Sequence, residues 1–244
     1  MDHPVVSRED WLAARRAHLK AEKALTRQRD KLLAARRALP WVKVEKPYVF
    51  AGPDGPVKLA DLFDGRSQLF VQHFMFGPGW EAGCPSCSLM ADHVDAARRH
   101  FEQADLSFAA VSRAPLPEIE AFKQRMGWTF PWVSSFDNDF NHDYRVSFTE
   151  AEQAAGEPIY NYDTIVPFMD EIQGVSLFNR DEAGKVFHSY SAYARGVESV
   201  IGAFAFLDLA PKGRDEVTGI MDWVRHHDRY DGAESSAAER QAPT

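Results

Sequence analysis

The sequence predicts an α/β fold: a central mixed β-sheet flanked by helices, with a long N-terminal helical extension. Three observations carry this. Short apolar runs rich in aromatic and β-branched residues alternate with stretches of helical periodicity, an order that builds parallel strands with helical crossovers. Near the end of the ordered pattern, two alternating runs flank a tight polar turn, the mark of an antiparallel hairpin. Ahead of all this lies one long amphipathic segment.

The extension comes first. Ser7 with Asp10 resembles a helix-start capping pair, and the helix it opens should end before Pro40. Leu12, Leu19 and Leu33 fall on heptad spacing with Thr26 in the gap, and Leu25 and Leu32 widen the stripe. Between Arg8 and Arg37 ten Lys/Arg face four Asp/Glu. Trp11 is the one Phe, Tyr or Trp among these charges, so a solvated basic face is expected rather than a nucleic-acid surface. The apolar stripe suits docking on the protein's own domain or on a second subunit, making a homodimer through this helix an expectation.

The strand–helix series follows. "KPYVFAGPDGPVKLADLF" reads as a strand, a Gly/Pro turn, and a short strand or helical turn. "SQLFVQHFMF", bounded by Gly77-Pro78-Gly79, is a continuous apolar run and so a buried central strand. From about Cys84 to Glu102, Leu89, Met90, Val94, Ala97 and Phe101 recur with helical period. "LSFAAVSRA" is the next strand. "LPEIEAFKQRMGW" is a helix stopped by Gly127. "FPWVSS" is a third strand, and "DNDFNHDYRV" a helical turn opened by an Asp/Asn cap. Trp128, Phe130, Trp132, Phe136, Phe140 and Tyr144 read as core. From Ser147 to Gln173 the pattern weakens to an inserted loop with a short helix. "GVSLFNRDEAGKVFHSYSAY" is the hairpin, "GVESVIGAFAFLDLAP" an amphipathic helix ending at Pro211, and Glu216 to Arg229 a further helix. The expected division is an extension over 1–39, an α/β domain over 40–211, and a C-terminal helix with a frayed polar tail over 212–244.

Composition narrows the function. Hydrophobic residues at 45% support a real core, and the net charge of −8 argues against wholesale nucleic-acid binding. No apolar run reaches membrane-spanning length, and "MDHPVVSREDWLAARRAH" has no signal core, so a cytoplasmic location without membrane partners is expected. In that setting a structural disulfide is disfavoured, and two close cysteines point to a metal pair or a redox pair.

The chain has two cysteines, Cys84 and Cys87. They lie two residues apart where the first long strand meets its helix, the end of an α/β sheet at which chemistry collects. A free thiol needs help to ionise at neutral pH, and the unpaired amides of a helix N-terminus provide it. Cys87, one turn on, shares a side of the helix with Cys84. Pro85 suits an early helical position. The spacing permits a two-step exchange: Cys84 attacks a disulfide, and Cys87 resolves the mixed disulfide.

The segments "LFVQHFMFGPGWEAGCPSCS", "FPWVSSFDNDFNHDYRV" and "GVSLFNRDEAGKVFHSY" resemble the thioredoxin-like superfamily over about residues 39–210. Within it they look closest to a bacterial family of predicted dithiol–disulfide oxidoreductases. "FPWVSSFDNDFNHDYRV" is more similar to the peroxiredoxin branch. The resemblance implies a protein or small-molecule disulfide as substrate, an external thiol as reductant, and no cofactor. It places a substrate-docking segment at Ile172-Gln173-Gly174, where thioredoxins carry a proline (here the nearest is Pro167). Trp80 stands in for the aromatic residue that precedes the first cysteine. It also implies a proton-moving group on the strand feeding the motif, where this chain has Gln72 and His73; a histidine titrates near neutrality and suits that role. Pro78 sits where peroxiredoxins place a proline, but residues 80–83 supply no hydroxyl before Cys84, so peroxidase activity is less expected than dithiol exchange.

Two alternatives stay open. One is a non-catalytic binding module on the same frame. The other is copper or zinc handling by Cys84 and Cys87, with Asp92, His142 or His188 as further ligands; no second CxxC or HxxxH completes a tetrahedral set. His93, out of phase with Cys87, and His226-His227, beside Asp228, are expected at the surface. Arg195 is expected at the surface or beside the site holding an anion. Asp137, Asp139 and Asp143 lack the glycine and closing glutamate of a calcium loop.

Overall fold

The computed structural model describes residues 3–156, 158–164 and 170–230. The chain forms two compact units, Met1–Trp41 and the remainder from Val42. The first is helix α1 (Arg8–Arg37), whose N-cap Ser7 accepts a hydrogen bond from the Asp10 amide; none of its residues is buried.

The second unit runs β1 (Val42–Lys43), β2 (Val49–Gly52), β3 (Gly55–Lys58), a 3-10 turn at Asp61–Phe63, β4 (Gln68–His73), α2 (Pro85–Ala91), α3 (Val94–Gln103), β5 (Leu106–Ser112), α4 (Leu116–Met126), β6 (Trp132–Ser134), α5 (Phe140–Asp143), α6 (Glu150–Ala155), β7 (Ile159–Tyr160), β8 (Asp163–Thr164), β9 (Gly174–Arg180), β10 (Val186–Tyr193), a 3-10 stretch at Ala194–Val200, α7 (Gly202–Leu207), and a 3-10 turn at His227–Arg229. Eight strands form one sheet in the order β1-β10-β9-β4-β5-β6-β2-β3. β4, β5 and β6 are parallel, whereas β9 runs antiparallel to β4 and β10 to β9. A parallel β4-α-β5 unit with an antiparallel hairpin on its other flank is the thioredoxin-like arrangement, and the expected fold class holds.

Strand alternation divides the core. Phe108 and Ala110 of β5 pack with Cys87, Val94, Ile119 and Phe122 of the helices on one face. Ala109 and Val111 face the opposite way, into a cluster with Leu69, Val71, Phe178 and Phe140. The coverings are unequal: α2, α3 and α4 shield the first face, while the second relies on the Asp61–Phe63 turn and the four-residue α5. The expected aromatic core is present, except that Phe136 is exposed. Among the described residues no helix is long and apolar enough to cross a membrane.

Three helices differ from expectation, each because a side chain outcompetes the helical ladder. The helix expected from Cys84 to Glu102 breaks at Asp92-His93. His93 Nδ1 occupies the Leu89 carbonyl at 2.7 Å, leaving its own amide to reach Met90 O at 3.2 Å. Its Nε2 accepts the Ala203 amide at 3.0 Å, so a histidine expected at the surface instead ties α2 to the start of α7. That bond also removes Ala203 N–H from any ladder, and the long helix expected before Pro211 becomes a 3-10 stretch plus the short α7. The helix expected over Glu216–Arg229 is replaced by turns: Asp222 Oδ2 accepts the amides of Val217 and Thr218, and Glu216 accepts that of Met221. Pro167 and the polar tail from residue 231 lie outside the described residues.

Phe140 is the buried pin of the thinly covered face. Its ring lies 5.0 Å from those of Tyr48 and Phe50, 4.6 Å from Tyr144 and 5.5 Å from His73. Phe140→Ala should therefore cost about 3–5 kcal/mol in urea denaturation, whereas Phe136→Ala should change the midpoint little.

Candidate dithiol site

The site begins where β4 stops pairing. Phe74 N–H still reaches Val111 O at 2.9 Å, and the chain then loops out and returns so that Cys84 N–H donates to Met75 O at 3.0 Å. Gly83 makes this return possible. A Cβ there would lie 2.5 Å from the Phe74 ring and 2.9 Å from that of Phe122, closer than real contacts allow. Cys84 is the N-cap of α2 with Pro85 at the first helical position. Its carbonyl accepts Ser88 N–H at 3.0 Å and Ser88 Oγ–H at 2.9 Å.

The two thiols occupy different surroundings. Cys84 is partly exposed and Cys87 is 4% exposed. The Cys87 backbone is pinned by Gln72 Nε2–H on its carbonyl at 3.0 Å, and its sulfur lies 3.5 Å from the Met75 amide. Both cysteines are free thiols. Cys84 is lowered from 9.0 to about 7. The hydrogen bond from the Cys87 thiol is the largest cause, the amides of Cys87 and Ser86 add to it, and burial opposes them. Cys87 is pushed well above 9.0 by burial and by its place beside Cys84. The arrangement therefore stores one negative charge, on the accessible sulfur.

Strand alternation decides between the two candidates on β4. Gln72, 1% exposed, points to the α2 face and holds Cys87. His73 points to the other face, where Nε2 lies 2.7 Å from Ser176 Oγ and the ring stacks against Tyr144. Burial lowers it to about 3, so it stays neutral. The His73 ring thus packs among Phe140, Tyr144 and Ser176 although the residue borders the cleft, and the side chain of β4 that bonds the Cys87 backbone is the neutral amide of Gln72.

A cleft of about 540 Å³ opens beside the pair, lined by both cysteines and by Gln72, His73, Gln173, Gly174, Arg195 and Glu198 among others. The expected docking segment borders it. Trp80 does not line it; its indole covers Gly77 and packs on the aromatic cluster. Arg195 is tied to Glu198, with Nε 2.6 Å from Oε1. His226 was not foreseen as part of the site. It is 6% exposed, and its Nε2 lies 2.7 Å from Gly83 O, holding the residue ahead of Cys84 from the C-terminal segment. Arg125 reaches His226 Nδ1 at 3.3 Å and is fixed in turn by Asp228. No local spacing signals this contact, which joins residues 143 apart. Only His227 of the pair is exposed, 2.7 Å from Asp92.

Among the described residues, no three His, Cys, Asp or Glu side chains gather as metal ligands. The suggested extra ligands are engaged elsewhere: Asp92 by Trp128 and His227, His142 by Ser147 O, His188 by Ser191.

Fold and site together define a thioredoxin-like protein with a CxxC pair at a strand-to-helix junction. Residues 1–230 match the family described as "Bacterial protein of unknown function (DUF899)", and the chain belongs to that family. No curated protein matches it. Solved structures similar to it include peroxidoxin BcpB from Mycobacterium tuberculosis, at 14% identity and TM-score 0.44, covering 66% of this chain and 95% of that one. Peroxiredoxin Q from Xanthomonas campestris is similar at 16% identity and TM-score 0.45, over 66% and 95%. PrxQ from Xylella fastidiosa is similar at 15% and 0.42, over 65% and 88%.

A depressed pKa means that thiolate appears as pH rises through about 7, not 9. Alkylation of Cys84 by iodoacetamide should accordingly reach half its maximal rate near pH 7, while Cys87 stays unmodified in the folded protein. Cys87→Ala removes the main stabilising bond and should move the Cys84 midpoint upward, slowing alkylation at pH 7. Mass spectrometry of quenched samples across pH 5–10 reads both effects.

Proposed function

We propose that this protein is a thiol–disulfide oxidoreductase in which Cys84 is the nucleophile and Cys87 the resolving thiol. The observation that carries the reading is the asymmetry of the pair: the partly exposed sulfur is lowered to about 7 and the buried one is raised. A thiol with a pKa near ambient pH combines thiolate population with nucleophilicity. The exposed Cys84 thiolate attacks a substrate disulfide and the nearer half becomes bonded to it. The other half leaves as a thiolate and takes the Cys87 proton; Cys87 thiolate then attacks the Cys84 sulfur and releases the bound half. An external thiol reductant returns the pair to the dithiol form. His73 has no direct part in this cycle, because its ring lies on the other face of the sheet.

A binding module that merely keeps the frame would not need one thiol activated and the other suppressed. The test is a pair of variants, assayed for turnover with a disulfide substrate and external thiol and for trapping with the disulfide substrate alone. Cys84→Ser should abolish turnover. Cys87→Ser should stop after one exchange and accumulate a mixed disulfide on Cys84, visible as added mass that reductant removes. Full turnover in both variants would eliminate the mechanism and leave the binding-module reading.

A further inference from the structure

Resting on the dithiol reading, we propose that the cleft beside Cys84 takes a small, uncharged, apolar disulfide and not a polypeptide strand. Two independent features lead there.

The first is the chemistry of the walls. The apolar part of the lining is Met75, Met90, Val197, Ile201, Ile220 and Met221, and Gln72, His73, Ser86 and Gln173 are its uncharged polar members. Methionine adapts its shape to irregular apolar ligands and offers a soft surface to sulfur. The charged groups at the rim satisfy one another: Glu198 is shared by Arg195 at 2.6 Å and Arg214 at 2.8 Å, and Arg214 also holds Asp208. Among the described residues at this rim, both arginines have a carboxylate partner.

The second is the state of the main chain along the opposite wall. A bound strand needs free amides and carbonyls. Here Ile172 N–H is spent on Val146 O at 2.8 Å. Gln173 O accepts Tyr160 Oη–H at 2.9 Å, and the same hydroxyl accepts Ala194 N–H at 2.9 Å. Ala194 O in turn accepts Gln173 Nε2–H at 3.1 Å. Tyr160 comes from β7, within the segment inserted between α5 and β9. The insertion therefore caps the edge that a peptide would have paired with.

The exchange balances within these groups. Cys84 thiolate forms a bond to one substrate sulfur, the substrate S–S bond breaks, and the electron pair leaves on the second sulfur. That thiolate takes the Cys87 proton. The group on β4 facing the thiols is a neutral amide, and Glu198 is held in ion pairs, so neither serves as the base. Cys87 thiolate then displaces the bound half. The substrate is reduced by two electrons, the Cys84–Cys87 pair is oxidised by two, and a small external dithiol re-reduces it.

The test is single-turnover oxidation of the pre-reduced full-length protein at pH 7, using diethyl, dipropyl and dibutyl disulfide, bis(2-hydroxyethyl) disulfide, and disulfide-bonded insulin. Rates are normalised to those of free 2-mercaptoethanol thiolate with each probe. About 0.8 kcal/mol per buried methylene predicts an increase of about fourfold for each methylene the cleft accepts. The hydroxyethyl compound should be slower than dibutyl disulfide, and insulin slower still. Met221→Glu should flatten the alkyl series. Equal normalised rates along that series, an unchanged slope in Met221→Glu, or insulin outpacing dibutyl disulfide would overturn the apolar substrate class and leave the dithiol chemistry standing. Failure of every probe to oxidise the pair would overturn both.

Discussion

The hydrogen bond between the two thiols governs the rest of this site. A sulfur anion at a partly buried position costs desolvation energy, and only nearby donors recover it. The Cys87 thiol is the strongest of those donors, ahead of the amides at the start of α2. The dipole of so short a helix is a supporting contribution, and the charge would be poorly held without the second cysteine. Each thiol thereby sets the other's state: one proton is shared unequally, with the anion on the partly exposed sulfur and the proton on the buried one.

Keeping two sulfurs in this relation demands a rigid surround. Gly83 lets the chain pass between Phe74 and Phe122, Met75 receives the Cys84 amide, and Gln72 holds the carbonyl of Cys87. His226 adds a tie from far along the chain to the carbonyl of Gly83. These contacts use neutral groups. Alternation along β4 turns Phe70 and Gln72 toward the α2 face and the His73 ring toward Phe140 and Tyr144.

The insertion between α5 and β9 closes main-chain groups beside the site. One phenolic hydroxyl, that of Tyr160, closes two main-chain groups at once, and the Gln173 side chain closes a third. What remains open beside the cysteines is an apolar cleft, whose thioether and aliphatic walls favour ligands by area removed from water more than by hydrogen bonds.

The sequence by itself determined the α/β class, the strand carrying the cysteines, the helix start at Cys84-Pro85, the stop at Gly127 and the terminal hairpin. These features are local: they follow from side-chain periodicity, from proline's missing amide, and from cysteine spacing along one helical turn. Tertiary structure decided the rest. Whether Gln72 or His73 meets the thiols depends on which face of β4 carries α2. The break at Asp92-His93 and the loss of the helix over residues 216–229 depend on side chains finding carbonyls and amides that only the folded chain brings near. His226 reaches Gly83, and Tyr160 reaches Gln173 and Ala194, because strands and loops distant in sequence converge at one end of the sheet. No residue spacing encodes that convergence; the physical reason is that hydrogen-bond partners are chosen by distance in space.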